Sequence, residues 1–292
     1  MATRLEVQKT YKLFINGQFP RTESGRFLKV IDKDGAFWAN ACRASRKDLR
    51  NAVESARKAQ TAWNNRAAFN RSQILYRIAE MLESRRVEFE QLLIKQGTPN
   101  GKAKAALNEA IDAAVYYAGW ADKYQQVFSS VNPVSGNYFN FSVYEPTGVV
   151  INIFGEDVNF SDYLNAVLSA IVGGNTIVNI SSANTAPYVI TLAETLATSD
   201  LSAGVVNILT ANISELISHA AKHMDVNAIV SINLTEAERL EIESAAPNNV
   251  KRIFQYNQLP EKGKTPYLIL DLQEVKTTWH PIDSPIAGGN SY

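Results

Sequence analysis

Sulfur and imidazole are what this chain has least of. Cys42 is the one cysteine among 292 residues, so no disulfide can close within the chain and no cysteine-rich metal centre can form. Three histidines occur. His219 and His223 have the i, i+4 spacing that can hold zinc on a helix, but their surroundings do not complete a ligand set, and both read as structural or solvated. His280 lies beyond the last predicted strand, and no Ser-His-Asp arrangement is suggested anywhere. Net charge is also missing: Lys plus Arg is 29 and Asp plus Glu is 29. That balance leaves no electrostatic footprint for nucleic acid or an acidic membrane surface. No apolar run reaches the roughly 18 residues of a membrane span, and residues 1–9 lack the apolar core of a signal peptide. These absences predict a cytoplasmic protein with no nucleic-acid and no membrane partner.

What is present is ordinary globular material, 46% hydrophobic and 20% charged. Residues 48–64 set Leu49, Val53, Ala56, Ala59, Ala62 and Trp63 on one helical stripe. A second helix is predicted over 70–94 and a third over 103–128, separated by the turn cluster at 96–101. After a loop at 132–137, residues 138–144 alternate as a strand. Strands at 149–154, 176–180, 205–209 and 228–232 then alternate with helices at 163–172, 186–197, 214–222 and 235–246. The pattern predicts an α/β fold: a helical N-terminal section, then a mainly parallel sheet covered by helices on both faces. Residues 260–266 read as a junction loop, 267–272 and 275–279 as extended segments, and 283–292 as a loose end.

Several stretches carry a resemblance. They are Tyr11-Lys12-Leu13-Phe14-Ile15-Asn16-Gly17, the helix at 48–63, and Tyr116-Tyr117-Ala118-Gly119-Trp120-Ala121-Asp122-Lys123. They continue through residues 138–150, Gly173-Gly174-Asn175-Thr176 and Ala203-Gly204-Val205-Val206-Asn207-Ile208, and end with residues 270–279. Taken in order, the chain resembles a degenerate member of the aldehyde dehydrogenase superfamily. The resemblance implies a Rossmann-like sheet of the cofactor-domain type, plus a β oligomerisation hairpin and a C-terminal strand. It divides the chain into an N-terminal helical part (1–131), the hairpin (132–148) and the Rossmann-like part (149–258). Junction, C-terminal strand and tail follow (259–292). The catalytic domain that should lie before the last strand is missing, as though by internal deletion.

That family uses a cysteine nucleophile, a Glu general base in a Glu-Leu-Gly-Gly-Lys motif, and an Asn that stabilises the oxyanion; such groups must converge on one reacting atom. Cys42 lies in the opening section and reads as a small residue in a strand. The stretch at 253–259 that should hold the base has no such motif. Asn159 matches the oxyanion Asn and reads as a remnant, so no catalytic residue is expected. The family's ribose-binding Lys and Glu are matched by Ile180 and Ala183, which can neither donate nor accept. Its phosphate-loop Gly is matched by Asn233 or Leu234. Glu236, Glu238 and Glu241 crowd the following helix start with negative charge, where they favour the helix dipole, and Thr235 or Asn233 is the candidate N-cap. No cofactor is expected; NAD(P) enters by family resemblance alone.

What the chain keeps concerns assembly. The resemblance assigns Tyr138, Phe139, Phe141, Val143 and Tyr144 of the hairpin, with Leu272, Val275 and Trp279 of the tail, to oligomerisation, and places the helix at 235–246 across a dimer axis. The expectation is a catalytically inactive subunit, structural or regulatory. It would form a homo-oligomer, a dimer above all, or join a full-length aldehyde dehydrogenase. Two other readings stand beside it: an NAD(P)-dependent aldehyde oxidoreductase by homology, and a non-catalytic nucleotide or metabolite sensor.

Overall fold

The computed structural model describes residues 8–156 and 158–282; the predicted loose end at 283–292 lies outside them. Strands β1 (Thr10–Tyr11), β2 (Phe27–Ile31) and β3 (Phe37–Cys42) form a small sheet in the order β1-β3-β2. The helical section follows as α1 (Arg46–Asn64), α2 (Ala68–Ser84), α3 (Arg86–Lys95), α4 (Asn100–Trp120) and α5 (Lys123–Phe128). Ser45 and Asp48 start α1 with a reciprocal capping box. Asp48 also accepts from Thr22 Oγ1 at 2.7 Å and so ties the helix start to the loop before β2.

Two expected helices are divided. The run over 70–94 breaks at Arg85, whose φ of −103° and ψ of 16° are not helical. The turn sends its guanidinium to Glu194 at 2.8 Å, a charge-assisted bond that fixes the corner. The run over 103–128 starts earlier, at Asn100 just after Pro99, and is interrupted at Ala121 and Asp122 before α5.

Next come β4 (Ser130–Asn132) and β5 (Tyr138–Pro146), then β6 (Val149–Phe154), α6 (Phe160–Val172), β7 (Thr176–Ser181), α7 (Ala186–Ala197) and β8 (Val206–Thr210). The second half of the sheet is α8 (Ile213–Lys222), β9 (Ala228–Ile232), α9 (Glu236–Ala245) and β10 (Arg252–Tyr256). The five strands are parallel in the order β10-β9-β6-β7-β8. The fifth strand, β10, was not among the expected ones. Alternate residues of β6 feed opposite cores. Val150 and Phe154 pack on the side of α2, α4, α6 and α7, while Val149, Ile151 and Ile153 pack on the side of α1 and α8. Burial on both faces explains why the strands read as continuous apolar runs.

The chain then turns into α10 (Tyr267–Leu270) and β11 (Gln273–Pro281). Residues 267–272 are therefore not extended as expected. One turn of helix buries Leu268 and Ile269 in the core that α6 also lines. β11 pairs antiparallel with β5 from Gln273↔Pro146 to Pro281↔Tyr138, giving a third sheet in the order β11-β5-β4. Asn175 links this sheet to the central one. Its Oδ1 accepts from Gly148 N at 2.9 Å, and its Nδ2 donates to Leu272 O at 2.9 Å and Ala170 O at 3.2 Å.

Candidate functional site

Successive strands run outward from β6 to β7 and β8, then return to β9 and β10 on its other side. The reversal falls between β6 and β9, and open α/β sheets bind ligands outside the carboxyl ends of the strands at such a point. Here the two strand ends remain joined. Gly155 N donates to Ile232 O at 2.9 Å, and Asn233 N donates to Tyr256 O at 2.8 Å. A Cβ built on Gly155 would lie 1.9 Å from Asn233 O, so only glycine permits this approach. Asn233 itself is left-handed, with φ 57°, a conformation Asn tolerates better than most residues. Leu234 is buried in the core on the α8 side.

A cavity of about 460 Å³ opens beside these residues, lined by Glu156, Asn212, Ser214, Asn233, Thr235 and Glu238 among others. Thr235, rather than Asn233, is the N-cap of α9, and Glu238 completes a capping box. Thr235 N and Oγ1 both donate to Glu238 Oε2, at 2.9 and 2.8 Å. At the end of β7, Ile180 is wholly buried among hydrocarbon and Ala183 sits in a single 3-10 turn. The four positions matched to the family's cofactor contacts thus do lie at the carboxyl edge of the sheet. Three of them carry only hydrocarbon.

Asn159 lines a second cavity, of about 330 Å³, with Lys102, Glu109, Ser161, Asp162 and Lys262. Its amide serves its own helix: Oδ1 accepts from Asp162 N at 2.8 Å and Nδ2 donates to Asp162 Oδ2 at 2.9 Å. Burial, opposed by the Asn159 hydrogen bond, raises the Asp162 carboxyl above its ordinary range. No thiol lines this cavity. Cys42 closes β3 inside the core, fully buried, and burial pushes its thiol up. A buried thiol with a raised pKa is an inert one. The stretch at 253–259 holds no carboxylate. Its Tyr256 instead donates from Oη to Asp271 Oδ2 at 2.8 Å, a contact from beyond the junction that the sequence did not announce. His219 lies on α8 and His223 is its C-cap. Burial lowers both imidazoles. Among the described residues no group of three or more His, Cys, Asp and Glu could hold a metal.

The residues matched to assembly come together on the β11-β5-β4 sheet. Tyr138 and Trp279 meet edge to face with centroids 5.8 Å apart, and Phe139 and Phe141 lie 5.5 Å apart. Tyr138, Phe139, Val275 and Trp279 are exposed, whereas Phe141, Val143 and Tyr144 are half-buried. Leu272 departs from the expectation. It is 2% exposed, part of this chain's own core, and presents no surface. It falls just before β11, where the last turn of α10 is still packing inward.

Residues 20–279 match the aldehyde dehydrogenase family. D-glyceraldehyde dehydrogenase (NADP(+)) of Thermoplasma acidophilum is 27% identical over 88% of this chain and 51% of that protein. Retinal dehydrogenase 2 of Gallus gallus is 30% identical over 91% of this chain and 51% of that protein. Among solved structures, PnpE from Pseudomonas sp. WBC-3 superposes with a TM-score of 0.78 at 26% identity, covering 85% of this chain and 50% of that one. PnpE in complex with nicotinamide adenine dinucleotide gives a TM-score of 0.80. The chain spans about half the length of the curated relatives it matches. Matched by the family over residues 20–279, most of its length, this chain belongs to the aldehyde dehydrogenase family.

Proposed function

We propose that this chain is a catalytically inactive aldehyde dehydrogenase-like protein of the cytoplasm. It acts as a structural or regulatory subunit, by self-association as a dimer or by joining a full-length aldehyde dehydrogenase. One contrast carries the reading. The chain's only thiol is sealed in the core with its pKa raised, while a sheet with exposed Tyr138, Phe139, Val275 and Trp279 stands ready for another chain. Exposed apolar strands at a sheet edge favour pairing with a partner. In this reading the half of a full-length relative that this chain does not match would supply the domain that receives the sheet.

No dinucleotide takes part in this proposal. Ile180 and Ala183 supply neither a donor nor an acceptor for a ribose, and the cavity beside Gly155 is lined by the carboxylates of Glu156 and Glu238. The decisive experiment has two arms. A tagged chain is recovered from its native extract and its companions are identified by mass spectrometry, and the pure chain is sized by analytical ultracentrifugation. Near-equal recovery of a full-length aldehyde dehydrogenase, or a stable dimer of the pure chain, supports the reading. A monomer that captures nothing sinks it, and so does NADH formation from an aldehyde that is lost on Cys42→Ala.

A further inference from the structure

Strand β11 forms one margin of the outer sheet, and among the described residues no strand pairs with its other side. From Glu274 to Pro281 every residue but Thr278 is exposed. The register decides which backbone groups face outward. Thr147 N donates to Leu272 O and Ile282 N donates to Asn137 O, with an unbroken register between them. The even-numbered residues of β11 therefore turn their N–H and C=O towards β5, and the odd-numbered ones turn theirs away. Gln273 is closed off, because Arg252 Nη1 donates to its carbonyl at 2.6 Å. Pro281 has no N–H to offer. Complete donor and acceptor pairs remain at Val275, Thr277 and Trp279, spaced evenly about Thr277. Lys276 is a charge of the kind that blunts sheet edges, but Glu145 holds it at 2.7 Å.

We propose that β11 pairs with β11 of a second copy of this chain, antiparallel, with Thr277 on the two-fold axis. In that register Thr277 meets Thr277 of the partner subunit, and Val275 meets Trp279 of the partner subunit on either side of the axis. All three outward-facing residues are then satisfied by one another. A slip one way sets Lys276 against Lys276 of the partner subunit, and a slip the other way sets Val275 against Pro281 of the partner subunit. The side chains favour the same register. Val275 and Trp279, both exposed and apolar, cover each other across the seam, the threonines abut, and Glu274 lies opposite His280 of the partner subunit. The contact is isologous and closes as a dimer, and the two outer sheets become one. This inference rests on the reading of the chain as a self-associating subunit and gives that assembly its surface.

Two kinds of variant of the full chain test the register. Thr277→Pro removes an outward N–H and leaves the β5 ladder, which uses the even-numbered residues, intact. Its native circular dichroism is expected to persist, while ultracentrifugation shows loss of the dimer at concentrations where the native chain is dimeric. Thr277→Cys brings two thiols face to face, with Cα atoms about 5.5 Å apart, within reach of a disulfide. Mild oxidation is expected to cross-link it almost completely. Val275→Cys places its two thiols roughly 13 Å apart along the strands and is expected to stay uncrosslinked, whereas an equal mixture of Val275→Cys and Trp279→Cys chains should form the mixed dimer. Cys42 is fully buried and does not compete. A dimer that survives Thr277→Pro and leaves Thr277→Cys uncrosslinked overturns this inference and leaves the proposed function standing, with assembly through another surface. A native chain that is monomeric but captures a full-length aldehyde dehydrogenase also overturns this inference alone. A monomer that captures nothing overturns both.

Discussion

Asn159 and Asp162 hold each other from both sides: the amide oxygen accepts from the Asp162 backbone and the amide nitrogen donates to the Asp162 carboxylate. The residue matched to an oxyanion donor is therefore an N-cap. Asn159→Ala is expected to lower stability by about 1 kcal/mol, and the melting temperature by about 2–4 °C for a chain of this size. Asn159→Asp, which keeps the cap acceptor, is expected to stay close to native. Thermal denaturation of the two variants checks the pair.

Cys42 is expected to be silent to a thiol reagent in the folded chain and to react stoichiometrically in guanidinium, because its thiol is fully buried and held protonated. Fast modification under native conditions would contradict the placement of β3.

Gly155→Ala places a methyl group against the carbonyl of Asn233. Backbone cannot yield there as a flexible side chain would, so a cost of about 1–3 kcal/mol or more is expected. A drop in the urea midpoint at unchanged slope is the readout.

Alkaline pH should act through two opposed groups. Burial pushes Lys251 down to about 8 while its Nζ donates to His223 O and Val226 O. Between about pH 8 and the ordinary lysine value near 10.4, the unfolded chain holds the extra proton, so this site adds stability as pH rises. Burial raises Tyr163 and Tyr188, and burial with Glu194 raises Tyr11 to about 12. Above about pH 10 the folded chain holds those protons and the unfolded chain does not, so stability falls with further rise. Urea midpoints from pH 7 to 11 should show a shallow rise followed by a steep loss. Lys251→Met is expected to abolish the rise.

Trp279→Asp puts a charge on a side chain that is 58% exposed in the single chain. The fold should tolerate it, whereas assembly through β11 should weaken. Ultracentrifugation alongside thermal denaturation distinguishes the two effects: loss of both would mean that Trp279 supports the chain's own fold.

Much of this was legible because local chemistry and tertiary role agree. The buried parallel strands announced themselves as apolar runs, and Thr235 followed by Glu238 is a helix start on sight. Asn159 three residues before Asp162 carried the same signal, which its match to a catalytic Asn overshadowed. Other features depend on partners far along the chain. Arg85 breaks a good helix for the sake of Glu194. Strand β10, Arg-Ile-Phe-Gln-Tyr, is half-buried throughout and shows neither alternation nor an apolar run. Leu268 and Ile269 suit a strand as well as a helix, and only the core they share with α6 decides between them.

Asn175 gives the third sheet its mechanical character. One side chain grips the chain just before β6, the end of α6 and the residue just before β11. The outer sheet is thus clamped to the middle of the parallel sheet and does not hang from a tether. A pull on β11 would load the start of β6 through that amide.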